Sequence, residues 1–105
     1  MIARTWHGRV PSAEADAYHR YLCETGLPGT RGLPGNLGVL IQRRVEGDVA
    51  HFLFTSFWSS RDAIRAFAGE DIEQARYYPR DSEFLLELEP TVTHYEVIEL
   101  QGLRT

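Results

Sequence analysis

From Val49 to Trp58 the chain reads VAHFLFTSFW, and this stretch restricts the fold more than any other. Ala50, Phe52, Phe54, Ser56 and Trp58 alternate with Val49, His51, Leu53, Thr55 and Phe57, and both sets are largely apolar. Successive side chains of a strand point to opposite sides of its sheet, so such a strand needs cover on both faces. Its sequel is equally informative. Ser59 and Asp62 stand at capping-box spacing, Ala63, Ile64, Phe67 and Ala68 recur at helical spacing, and Gly69 ends the run. Asp71 to Tyr78 is predicted as a second short helix, closed by Pro79.

The rest of the chain supplies partners for that strand and helix. Ile2 to Val10 reads as a strand closed by Pro11. Ser12 is the expected N-cap of a helix whose buried stripe is Ala17, Tyr18, Tyr21, Leu22 and Thr25, with His19 off the stripe and Gly26 as stop. Residues 26–36, GLPGTRGLPGN, read as a loop; no Lys-Ser or Lys-Thr follows, so it is not a phosphate cradle. Leu37 to Val45 is the next strand, joined to Val49–Trp58 through Glu46-Gly47-Asp48 as a hairpin. Residues 84–88, FLLEL, fit either a helical turn or a short strand. Thr91 to Leu100 alternates as a last strand.

Strand, helix, strand, strand, helix, strand is the split βαβ order. It predicts an α+β, ferredoxin-like βαββαβ protomer with an antiparallel sheet in the order 4-1-3-2 and both helices on one face. The bare face then needs a cover. At 105 residues the chain is expected to form a single domain, 1–105, whose modest core would be supplemented by self-association as a homodimer.

Charge and cysteine content narrow the partners. A formal charge of -4 with scattered basic residues does not suit nucleic acid. No leader or membrane-spanning run is visible, and the single cysteine, Cys23, cannot close an internal disulfide; the expected setting is cytoplasmic, with no membrane partner.

Strand parity proposes a site. Placing His7 opposite His94 and Leu53 collects Trp6, Phe52, Phe54, Trp58, Tyr95 and Val97 under the helices. The opposite face collects Thr5, His7, Arg9, His51, Thr55, Phe57, His94 and Glu96, apolar walls with a few polar groups. His7, which titrates near neutrality, is the expected acid/base, with His94 beside it as second catalytic residue. Thr5, His51, Thr55, Phe57, Phe67, Tyr77, Tyr78 and Glu96 are expected to contact a small hydrophobic or aromatic ligand. His7, His94 and Glu96 lack any metal-binding spacing, so no metal is expected. No nucleophile-and-histidine triad is evident either.

Three motifs carry a family resemblance: the first strand with its polar exit, Trp58-Ser59-Ser60 followed by Ala63-Ile64 and Phe67, and His94-Tyr95-Glu96-Val97 in the closing strand. In these the chain resembles the antibiotic-biosynthesis-monooxygenase-like members of the dimeric α/β-barrel superfamily. The resemblance implies that a second protomer covers the bare sheet face, forming a barrel. It implies a cofactor-independent oxygenase-like activity on an aromatic or carbonyl compound in a cavity between sheet and helices, with an isomerase or a non-catalytic binding dimer as alternatives. Such oxygenases use asparagine, tryptophan, tyrosine and arginine around the substrate, and this chain keeps Trp58, Tyr77 and several arginines. Haem-degrading members use an asparagine, a tryptophan and a histidine ligand, at positions aligned with His7, Phe67 and Tyr77. With that histidine missing, haem handling ranks behind those alternatives, although tyrosine can ligate haem iron, and no cofactor is expected.

Overall fold

The computed structural model describes residues 1–103. Four strands, β1 (Ile2–Pro11), β2 (Asn36–Glu46), β3 (Val49–Trp58) and β4 (Thr93–Glu96), form one antiparallel sheet in the order β2-β3-β1-β4. The helices are α1 (Ala15–Glu24), α2 (Gly26–Thr30), α3 (Arg61–Ala68) and α4 (Asp81–Phe84). This is the expected ferredoxin-like α+β arrangement, with the expected strand order. No helix among the described residues is long and apolar enough to cross a membrane.

Hairpin β2–β3 turns at Gly47, whose φ of 61° is open to glycine at no steric cost. β1 pairs β3 with Trp6 opposite Phe54, Gly8 opposite Phe52 and His7 opposite Leu53. Trp6, Val10, Ala50, Phe52, Phe54 and Trp58 therefore share one face, and there they meet Tyr18, Tyr21 and Leu22 of α1 and Leu85. Trp58 is fully buried; its indole N–H donates to Ser56 Oγ at 2.8 Å and its ring stacks on Phe67. A buried indole needs such a partner. On α1 the stripe Tyr18, Tyr21 and Leu22 is buried as expected, joined by Ala15, while His19 and Cys23 are exposed.

Several elements differ from the sequence expectation. Ser12 does not cap α1: a 3-10 turn over Ser12–Glu14 precedes the helix, and the Ser12 N–H donates to Asp48 O at 2.7 Å. The α3 cap is Ser60, not Ser59, because Ser60 Oγ accepts from Ala63 N. Gly26–Thr30 is a turn of helix rather than loop, its buried Gly26 lying against Phe54 and Thr30 Oγ1 donating back to Gly26 O at 2.9 Å. Residues 71–78 are not helical. Gln74 bridges Thr91, Val92 N donates to Glu73 O, and Ala75 N donates to Pro90 O. Backbone groups satisfied by another segment no longer need a helix. In the 84–88 stretch Phe84 ends α4, and Leu86 N donates to Arg9 O.

The largest correction concerns β4. It spans four residues, its ladder ending where Val97 N donates to Met1 O, and His94 lies opposite Arg4 instead of His7. A register displaced by three residues, an odd number, exchanges the faces. Tyr95 therefore shares the bare face with Ala3, while His94 and Glu96 share the helix side with Arg4 and Ile2.

Candidate functional site

A cavity opens between the helix-covered sheet face and the segment 70–81. It holds about 540 Å³ of empty space, part of it continuous with solvent. β1 contributes Arg4 and Trp6, β3 Phe54 and Ser56, α1 Tyr18 and Leu22, and α3 Phe67. The irregular segment adds Arg76, Tyr77 and Tyr78, α4 adds Asp81, and Gly26, Thr30 and Val92 complete the wall. Gly8 makes room for this arrangement: a Cβ there would stand 2.2 Å from the Trp6 ring and 3.0 Å from Leu85.

The hydroxyls of Tyr77 and Tyr18 in the wall are already oriented. Tyr77 Oη accepts from Trp6 Nε1 at 3.1 Å and donates to Glu89 O at 2.6 Å. Tyr18 donates to Asp81 Oδ1 at 3.0 Å, and Asp81 Oδ2 accepts from Tyr78 N at 2.6 Å. Burial raises the phenol pKa of Tyr18, Tyr77 and Tyr78 above the ordinary value, so all three remain protonated at neutral pH. Burial also raises the Asp81 carboxyl, partly offset by the hydrogen bonds it accepts.

Two guanidiniums complete the site. Arg4, only 5 % exposed, donates to the backbone oxygens of Ile72 and Gln74, the latter at 3.1 Å, and lies 3.4 Å from His94 Nε2. Burial and then neighbouring Arg76 lower its pKa to about 10, which leaves it charged. Arg76 donates to Phe67 O at 2.6 Å, and the two guanidinium carbons lie 5.8 Å (Arg4) and 4.9 Å (Arg76) from the Phe67 ring centre. His94 is depressed to about 4 by burial and by Arg4 and Arg61, so it is a neutral imidazole accepting from Arg4.

The candidate residues from the sequence thus fall into two groups. Phe67, Tyr77 and Tyr78 line the cavity, with His94 at its margin beside Arg4. Thr5, His7, His51, Thr55 and Phe57 lie on the bare face of the sheet, whereas Glu96, on the helix side of the edge strand β4, is exposed. There His7 Nδ1 donates to Glu89 Oε2 at 2.6 Å, His7 Nε2 lies 3.0 Å from His51 Nδ1, and Thr5 meets Thr55 at 3.2 Å. The first-strand side chains that enter the cavity are Arg4 and Trp6, not His7. Arg4, Trp6, Arg76 and Asp81 were missed by sequence reasoning. A readable signal existed for one of them, since Arg4 is a charge on the core-facing parity of a strand, where charges are rare.

Haem does not fit this lining. No histidine or cysteine is among the residues that form the cavity, and Tyr77 Oη has both its hydrogen bonds made.

No protein-family model and no curated protein sequence matches the chain. Solved structures do. The haem-degrader MhuD of Mycobacterium tuberculosis, seen with two haems in its active site, superposes with a TM-score of 0.65 at 20% identity over 97% of this chain and 100% of that one. A Deinococcus radiodurans protein assigned to the antibiotic biosynthesis monooxygenases gives 0.59 at 22% identity over the whole of both chains. The M. tuberculosis protein Rv0793 gives 0.56 at 17% identity over 97% of this chain and 100% of its own. The protein therefore shares the fold of these structures, one of them assigned to the antibiotic biosynthesis monooxygenases.

Proposed function

We propose that the chain is an oxygenase-like small-molecule enzyme that binds a flat aromatic substrate between sheet and helices and works as a homodimer without a resident cofactor. The observation that carries this reading is the cavity itself, where Trp6, Phe54, Phe67, Tyr77 and Tyr78 surround a space with two guanidiniums at its rim. Aromatic walls with a few convergent polar groups suit a planar ligand. In the oxygenase reading a phenolic substrate supplies the electrons. One oxygen atom of O2 enters the ring, the other leaves as water, and the phenol becomes a quinone.

The dimer rests on the bare face. Leu40, Leu53 and Tyr95, which the register places on this face, are all exposed, which is unusual for one side of a small sheet. His7, in this assembly, lies between the two sheets, and its bond to Glu89 holds the segment after α4 against β1.

One observation favours a second reading, a binding protein without turnover. The single carboxyl of the wall, Asp81, has both oxygens engaged, so no free general base faces the cavity. Oxygen uptake by metal-free protein with a panel of hydroquinones and naphthols separates the two. Uptake above the protein-free rate supports the enzyme, whereas binding without uptake supports the second reading. Titration with haemin is expected to give no protein-dependent Soret shift; a saturable shift would return haem to consideration.

A further inference from the structure

Arg4 is a buried cation with no anion. None of the seven ion pairs among the described residues includes Arg4 or Arg76. Arg4 has only backbone oxygens and the neutral His94 imidazole as partners. Asp81, the one carboxyl in the wall, is committed to Tyr18 and to the Tyr78 N–H. Buried charges are normally paired, because removing an ion from water costs several kcal/mol even after relaxation. Although the chain carries a formal charge of -4, the cavity has two positive groups facing one aromatic ring.

We propose that the cavity takes its ligand as an anion, a carboxylate or phenolate oxygen borne on a flat ring and seated against Arg4 and Arg76. The inference rests on the reading of this cavity as the ligand site, but not on turnover there. Arg4 is pre-positioned by Ile72 and Gln74, so little side-chain entropy is lost when the anion arrives. The ring would lie among Phe67, Trp6 and Tyr77, where its own faces find aromatic partners. Arg76, more exposed, closes the anion from the solvent side.

The test compares matched probes by calorimetry and by quenching of Trp fluorescence: 2-naphthoate against 2-naphthamide, and 4-nitrophenol against 4-nitroanisole. At least one anion should bind about tenfold or more tightly than its neutral partner, as expected for hydrogen bonds to a charged group. Bound 4-nitrophenol should show its yellow phenolate form at a lower pH than in buffer. Arg76→Gln, at an exposed position, should remove most of the preference, weakening the anions far more than the neutral probes. Arg4→Lys should weaken the anion more than the amide by losing the two-pronged donor. Equal affinity for acid and amide, no binding of any probe, or variants that change both members of a pair alike would overturn the proposal. The last result would make Arg4 only a tie between β1 and residues 72–74. Naphthoate binding without oxygen uptake by any phenol would instead sink the oxygenase reading and leave the anion site standing.

Discussion

Tyr77 shows how little freedom the wall residues have. Its hydroxyl accepts from Trp6 and donates to Glu89 O, so Tyr77→Phe strands one indole N–H and one carbonyl at once. A loss of about 1–3 kcal/mol in urea unfolding is expected, toward the lower end because Trp6 is only partly buried. Unchanged stability would mean that water replaces the phenol. Asp81 carries more weight, being buried and serving both Tyr18 and the Tyr78 backbone. Asp81→Ala should cost about 2–5 kcal/mol and release the tyrosine segment, seen as faster amide exchange at residues 77–80. His94 predicts a pH dependence of known sign. Its folded pKa of about 4 lies below the ordinary value of 6.5, so the unfolded chain takes up the proton first as pH falls. The stabilisation is complete above about pH 6.5, falls between there and about pH 4, and is constant below. His94→Gln should flatten that portion of the stability curve; parallel curves for the two proteins would contradict the assignment.

The elements reveal which local signals survive packing. Strand parity held for β1 and β3, where Trp6, Phe52, Phe54 and Trp58 all turn toward the helices. The α3 cap was displaced by one residue, and the reason lies outside the helix. Ser59 N donates to Gly35 O, which commits Ser59 to the start of β2 and leaves Ser60, in extended conformation, to receive Ala63 N. Ser60→Ala should therefore destabilise by about 1 kcal/mol, whereas Ser59→Ala should change stability by clearly less, a contrast that thermal unfolding resolves. Gly35 belongs to the same junction. Its φ is 82° and a Cβ would lie 2.5 Å from the Ala63 Cβ, so Gly35→Ala should separate β2 from α3 and cost more than the cap itself.

At the scale of the molecule, one face of the sheet is sealed by helices and the other is bare. That asymmetry predicts a dimer, with a sedimenting mass about twice 12.0 kDa. Leu53 is exposed at the middle of the bare face, opposite His7. Leu53→Asp should shift the protein to monomer in sedimentation velocity without unfolding it, and a wild-type protein that runs as a monomer at all concentrations would remove the dimer. The cavity lies on the other side of the sheet, bounded by Phe67 of α3 and by Arg76, Tyr77 and Tyr78. The same variant should therefore leave binding of an aromatic probe within about threefold of wild type, a change worth less than 1 kcal/mol.

The order of elements, the strand order and the inward set on β1 and β3 were all legible from the amino acids. They depend on period-two alternation, short connections and turn residues, which act within a few positions of the chain. The conformation of 71–78 and the face of His94 were not legible. Residues 72–75 exchange a helix for hydrogen bonds with Arg4 and with residues 90–92, partners distant in sequence. β4 takes its register from β1, where a shift of three residues exchanges faces while leaving both strands equally alternating. That shift separates His7 from His94 and places His94 beside Arg4. The sequence alone thus determined the scaffold, and the tertiary structure decided which charged and aromatic side chains share a cavity.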